Sequence, residues 1–241
     1  MKVAFISDLH IGADEFQREN ELLEFLKYCR ELDSLFIIGD AIDLWRDSLP
    51  GLMSKYKKIF ASLSLLKKAI YVVGNHDYLM RKFVGQYGNV EIVYPDYLVD
   101  INGYKVYMTH GHLQALEWRK LFGLKLMNLY LKIGDTGIAP IIGDFWYKKP
   151  VQKLIANFTK STSGRNDKTV AHLRSEAFKL ANENKADIVL SGHTHFQEII
   201  QKHSIFYVNT GSWIGEIDGI PNMSYAYMEN SNIELRNWGS S

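Results

Sequence analysis

Three short apolar runs alternate with two helical stretches in the first 74 residues, and this alternation restricts the chain to a sheet covered by helices. Lys2 to Ser7 is an apolar run that ends at Asp8. From Glu15 to Leu32 apolar residues recur at helical spacing through Leu22, Leu23, Phe25, Leu26 and Cys29, with acidic residues near the start. Ser34 to Gly39 reads as a buried strand, Pro50 to Lys68 as helical, and Ala69 to Val73 as a third strand closing on Gly74. A β-α-β-α-β order implies a parallel or mixed sheet whose functional loops leave the carboxyl ends of the strands. Asp8, Asp40 and Asn75 all fall at such ends.

Val90 to Tyr94 continues the strand pattern. Tyr97 to Ile101 and Tyr104 to Thr109 form a hairpin through Asn102-Gly103, the dipeptide favoured in type I′ turns, and deliver His110. Leu113 to Lys160 is helical with glycine and proline breaks, and Asp167 to Asn184 is a further helix. Asp187 to Ser191 is a strand running into Gly192-His193-Thr194-His195. Glu198 to Gln201, Ile205 to Asn209, Tyr225 to Glu229 and Ile233 to Asn237 read as short antiparallel strands of a second β-rich layer.

A chain of 241 residues, 46% hydrophobic and 23% charged, is long enough for one globular domain carrying an insertion. No apolar stretch reaches the roughly 18 residues of a spanning helix, and Val3 to Ile6 is too short for a signal peptide, so a cytoplasmic protein is expected. The single cysteine, Cys29, cannot form an internal disulfide and reads as a buried structural thiol. A net charge of +1 gives no global reason to expect nucleic-acid binding.

Six of the eight histidines (His10, His76, His110, His112, His193, His195) lie in strand-end clusters that also hold Asp8, Asp40, Asn75 and Asp77. One such cluster is explained by helix capping or a satisfied loop; five, each just after an apolar strand, are not. Imidazole and carboxylate without thiolate suit Mn²⁺, Fe or Zn²⁺, and the Asn75 carboxamide adds a neutral oxygen. The seven candidate ligands Asp8, His10, Asp40, Asn75, His110, His193 and His195 exceed the needs of one ion. They suit two divalent ions about 3.5–4 Å apart with Asp40 as the bridge, which activate a shared water as hydroxide against a phosphate ester or anhydride.

In this order, Asp8-x-His10, Gly39-Asp40-x-x-Asp43, Gly74-Asn75-His76-Asp77, His110-Gly111-His112 and Gly192-His193-x-His195 resemble the calcineurin-like metallophosphoesterase signature, across residues 8 to 195. The resemblance implies an α/β fold, a four-layer α/β/β/α sandwich. It also implies that Asp8, His10, Asp40 and His195 hold one ion and Asp40, Asn75, His110 and His193 the other, with Mn²⁺ first among the metals and Fe or Zn²⁺ as alternatives. By the same likeness His76 touches the phosphoryl group or protonates the leaving oxygen, and Asp77 orients its ring. His112 reads either as a substrate contact or as a polar loop residue. Asn209-Thr210-Gly211-Ser212 resembles the family's late turn beside the metals and is equally explained as a structural turn.

Leu113 to Arg174 carries eleven Lys or Arg against four acids, a balance of +7, so the remainder carries −6. Apolar residues from Leu113 to Ile133 cover most faces of one helix. An insertion over about residues 113–168 therefore reads as a lid for an amphiphilic phosphate, with peripheral contact to an anionic membrane face, or as a cap packed on its own domain or on a second subunit. Its placement, the Asp40-to-Trp45 stretch and the polar segment from Ser161 to Lys168 are similar to the UDP-2,3-diacylglucosamine diphosphatases. That likeness implies contacts of Arg165 and Lys168 with phosphate or sugar oxygens, and Trp45, His112 and Asn166 are read as further candidate substrate contacts. The chain departs from that branch, which carries Gly-Asn-Arg-Asp and His-Gly-Asp, at His76 and His112. A pyrophosphate already has a good leaving group, whereas an alkyl ester needs a proton, so His76 widens the substrates. A nuclease, with Trp118, Trp146 and Tyr147 stacking on bases, is a second reading, and a non-catalytic scaffold a third.

Overall fold

The computed structural model describes residues 1–113, 167–217 and 220–239. The strands are β1 (Lys2–Ile6), β2 (Ser34–Ile38), β3 (Ala69–Val72), β4 (Gly85–Tyr87), β5 (Val90–Val93), β6 (Asp96–Ile101) and β7 (Tyr104–Thr109), then β8 (Ile188–Ser191), β9 (Glu198–Lys202), β10 (Ile205–Asn209), β11 (Glu216–Ile217), β12 (Ile220–Pro221), β13 (Ser224–Glu229) and β14 (Asn232–Asn237). The helices are α1 (Glu19–Cys29), α2 (Leu49–Lys55), α3 (Lys57–Leu63) and α4 (Asp167–Asn184), with a 3₁₀ turn at Tyr78–Phe83.

Alternate side chains of each central strand enter different layers, which is why their sequences are apolar without interruption. Val3 and Phe5 of β1, Phe36 and Ile38 of β2, and Ile70 and Val72 of β3 face Val106 and Met108 of β7, Ile188 and Leu190 of β8, and Val208 of β10, forming a core between two sheets. The intervening Ala4, Ile6, Leu35, Ile37, Ala69 and Tyr71 join Leu22, Phe25 and Leu26 of α1 and Ile59 of α3. On the far side, Tyr107, Val189 and Tyr207 pack under Ala177 and Ala181 of α4. The layers therefore run helix, sheet, sheet, helix, as the resemblance implies. Phe5 and Phe36 pair across β1 and β2 in register, with ring centroids 5.0 Å apart.

The first sheet runs β14-β13-β1-β2-β3-β5-β4 and the second β6-β7-β8-β10-β9, with β11-β12 a separate pair. Strands β1, β2, β3 and β5 are parallel, as are β7, β8 and β10, so their carboxyl ends gather at one rim. Three expectations change. The C-terminal strands do not form one layer: β9 and β10 enter the second sheet, whereas β13 pairs antiparallel with β1 and carries β14 to the edge of the first. The helical stretch from Pro50 to Lys68 is two helices, broken at Tyr56, whose buried ring meets Phe16 edge to face at 5.6 Å. The helix expected from Glu15 starts at Glu19. The expected insertion lies almost wholly outside the described residues, which include only Leu113 and the start of α4 from it.

Candidate metal centre

All five polar clusters sit at the gathered strand ends, on backbone that is bent out of strand geometry. Asp8, His10, Asp40, His193 and His195 have φ of 53°, 47°, 52°, 70° and 58°, five of the nine non-glycine residues with positive φ among the described residues. That conformation costs a side-chain-bearing residue about 1–2 kcal/mol, so the surroundings must hold it. They do so by joining neighbouring loops: Asp8 N donates to Gly39 O at 3.1 Å, His10 N to Asp40 O at 2.9 Å and Ile11 N to Ala41 O at 3.0 Å. The Asp8 carboxylate in turn accepts from His193 N at 3.0 Å. Gly74 is required by close approach, since a Cβ there would overlap Oδ1 of Asp40. Gly39 is required in the same way, by the ring of His110.

Donor atoms converge at distances typical of ligands around an ion. Two nitrogens each about 2.1 Å from a common ion lie roughly 3.0–3.4 Å apart across angles of about 90–109°. His10 Nε2 and His195 Nε2 are 3.2 Å apart, and Asp8 Oδ1 is 3.3 Å from His195 Nε2 and 3.8 Å from His10 Nε2. On the other side, His110 Nε2 lies 3.2 Å from Asp40 Oδ2 and 3.1 Å from Asn75 Oδ1. Asp40 Oδ2 is also 3.8 Å from His10 Nε2, which places this one oxygen between the two groups. Asp8, His10 and His195 form one convergent trio, and Asp8, Asp40 and His110 a second. His10, Asp43 and His76 form a third such group, and His193 is in none of them, its ring lying edge to face against His110 at 5.3 Å.

Burial and charge prepare these groups to be ligands. Burial works against the charged carboxylates of Asp8 and Asp40, but His195 and His10 around the first and His110 and His76 around the second hold both well below the usual range. Burial, reinforced by His110, pushes His193 down to about 3 and leaves a free imidazole lone pair. Burial also works against a charged His110, yet the adjoining Asp40 carboxylate raises it to about 10. Its Nδ1 faces Ile38 O at 2.9 Å, so a proton there donates to that carbonyl and Nε2 is turned to the centre. Among the described residues the centre is lined by buried carboxylates and imidazoles without thiolate, a donor set that fits hard or borderline divalent ions.

His76 lies against the first trio, its ring perpendicular to that of His10 at 4.5 Å. The carboxylate facing it is not that of Asp77. Asp77 Oδ1 accepts from Gly74 N at 2.6 Å, and Oδ2 from Ala41 N at 2.7 Å and from the Tyr71 hydroxyl, so this buried carboxyl ties strand β3 to two loops. Burial and the nearby Asp40 push it up to about 7. The carboxylate that faces the ring is that of Asp43, with Oδ1 3.5 Å from His76 Nδ1 as an ion-pair contact rather than a hydrogen bond; the Asp40-x-x-Asp43 spacing was its signal in the sequence. Trp45, expected to touch substrate, stacks on His76 with centroids 3.8 Å apart. His112 is 6% exposed, beside His110, and neither of its ring nitrogens has a hydrogen-bond partner among the described residues. Lys168 is exposed at the start of α4, and Arg165 and Asn166 lie outside the described residues.

Sequence reasoning left the Asn209 turn undecided, and the geometry makes it a strut. Asn209 Nδ2 donates to Gly192 O at 2.8 Å and Thr194 Oγ1 at 3.0 Å, while Thr210 Oγ1 donates to Ser7 Oγ at 2.7 Å. These bonds hold the loop of His193 and His195 against the end of β1.

The family model for calcineurin-like phosphoesterases matches residues 1–197. The chain is 24% identical to a UDP-2,3-diacylglucosamine hydrolase of Vibrio atlanticus, over 81% of each protein. It is 22% identical to the protein of that name from Psychromonas ingrahamii, over 98% of this chain and 96% of the relative. Among solved structures, the E. coli phosphoesterase YfcE superposes with a TM-score of 0.52 at 19% identity, over 99% of this chain and 94% of that one. An archaeal phosphodiesterase gives 0.51 at 15% identity, over 98% and 99%. The fold is theirs. With candidate metal-binding side chains grouped at its strand ends and its family model matched over most of its length, the chain belongs to the calcineurin-like phosphoesterase family, as a metal-dependent phosphoester hydrolase.

Proposed function

We propose that the chain hydrolyses a phosphodiester or diphosphate bond at a dinuclear centre, in an amphiphilic substrate resembling UDP-2,3-diacylglucosamine. The position of Asp40 Oδ2 between His10 and His110 carries the dinuclear part of this proposal. Asp8, His10 and His195 would hold one ion, Asn75, His110 and His193 the other, and Asp40 both. When bound, two such ions, Mn²⁺ foremost, supply a water acidic enough to be a nucleophile near neutral pH and neutralise charge on the phosphoryl oxygens. His76 stands beside this centre, with Nδ1 toward Asp43, leaving Nε2 for the leaving oxygen. Burial opposes its charged form while Asp40 and Asp43 favour it, and its place beside the centre, with Nδ1 turned to Asp43, suits it to give a proton to the leaving oxygen. The amphiphilic substrate is supported by the names of the relatives and by the basic, apolar composition of residues 113–168.

The test is hydrolysis by the purified protein with Mn²⁺ over a nucleotide-lipid diphosphate, an aryl phosphodiester, phosphomonoesters and DNA. Metal-dependent turnover of the diphosphate and the diester is expected, with loss of at least about 10³-fold in Asp40→Ala. Full activity in that variant would overturn the dinuclear proposal, and turnover of DNA alone would move the substrate to nucleic acid.

A further inference from the structure

We propose that Trp45 is the positioning residue of His76, and that the pair extends this centre, beyond diphosphates, to esters whose alcohol leaves as a strongly basic alkoxide. The proposal rests on the assignment of His76 as proton donor. Three consecutive residues hold this histidine. Leu44 N donates to the His76 carbonyl at 3.2 Å, and the Asp43 carboxylate stands 3.5 Å from its Nδ1. Trp45 covers the ring, 3.8 Å between centroids and 24° between planes. The indole is itself anchored, because its backbone N–H donates to the same Asp43 oxygen at 3.1 Å, and Arg46 Nε lies 3.5 Å from the other. His10 closes the remaining approach at right angles.

An imidazole at a loop has several rotamers, and only one brings its nitrogen within hydrogen-bond reach of a leaving oxygen. A misplacement of about 1 Å costs on the order of 10²-fold in rate. The stacked indole excludes the rotamers that swing away. In the step itself, a water oxygen forms a bond to phosphorus and releases one proton to solvent, and the bond to the leaving oxygen breaks. The electron pair goes to that oxygen as it takes the proton from His76, which then recovers one from solvent. An anhydride or a nitrophenyl ester expels a stable anion and gains little from this proton, whereas an alkyl ester depends on it.

The experiment is a series of Mn²⁺-supported phosphodiesters from 4-nitrophenyl to alkyl leaving groups, run on the unmodified protein, Trp45→Ala, Trp45→Phe, His76→Ala and the double alanine variant. Trp45→Ala should lose about 10–100-fold with the poorest leaving group and little with 4-nitrophenyl, and Trp45→Phe should recover most of the loss. In the His76→Ala background, Trp45→Ala should add nothing. In the chelator-treated protein, NMR should show the His76 ring protons moving downfield when the indole is removed. Equal losses across all leaving groups, additive losses in the double variant, or unmoved His76 signals would each overturn the proposal, additive losses marking the indole as a substrate contact. If His76→Ala itself shows no dependence on the leaving group, the proton-donor assignment fails; if it does and Trp45→Ala does not, only the role of Trp45 fails.

Discussion

Oδ2 of Asp40 lies 3.2 Å from Nε2 of His110, a buried carboxylate against a buried imidazole at the point where the two ligand groups meet. The carboxylate raises His110 to about 10, so the metal-free ring is protonated at neutral pH. That ion pair and an ion on Nε2 exclude one another, because a ligand imidazole must be neutral.

Metal uptake should therefore release at least one proton between about pH 7 and pH 9. The sign follows from the raised pKa. Stabilisation of the metal-free fold by this pair is complete below the ordinary histidine value of about 6.5 and is lost as pH rises through about 10, where uptake no longer releases the proton. Calorimetric titration of Mn²⁺ in buffers of different ionisation enthalpy should give a slope of one or more at pH 8, and a slope of zero would refute the assignment.

Asp77 should behave as a strut. Asp77→Ala removes an acceptor shared by Ala41 N, Gly74 N and the Tyr71 hydroxyl, and should cost about 2–4 kcal/mol in urea unfolding. Tyr71→Phe, which removes one buried donor from that carboxyl, should cost about 1–3 kcal/mol. In neither variant should the rate depend on the leaving group more steeply than in the parent. A steeper dependence would return Asp77 to the role of orienting His76.

Asn209→Ala removes the side-chain donor that joins Gly192 O to Thr194 Oγ1, next to His193 and His195, and leaves Gly192 O only the Thr194 N–H. Metal affinity should fall about 10–100-fold, the usual effect of removing a group that orients ligands. Equilibrium dialysis would show it, and undiminished affinity would reduce the turn to a structural feature of β10.

Much of the site was legible because strands buried on both faces are uninterrupted apolar runs, so their ends, where Asp8, Asp40, Asn75, His110 and His193 lie, stand out. The four-layer fold followed from a resemblance of motifs rather than from the pattern alone. What stayed hidden depends on tertiary pairing. β13 reads like any alternating strand, and its place beside β1 is set by a partner over 200 residues away, as in Lys2 opposite Glu229. Asp77 follows His76 in sequence, yet the 3₁₀ turn sends its carboxylate back toward Tyr71 and leaves the ring to Asp43. The positive φ of five candidate ligands is only weakly signalled by residue type: aspartate and histidine are enriched in that conformation, yet most aspartates among the described residues do not adopt it.

The stoichiometry of bound metal tests the dinuclear centre most directly. Chelator-stripped protein dialysed to equilibrium against Mn²⁺ should take up two ions per chain, and Asp40→Ala, lacking the oxygen between His10 and His110, no more than one. A single ion in the unmodified chain, or two held as tightly without Asp40, would contradict it.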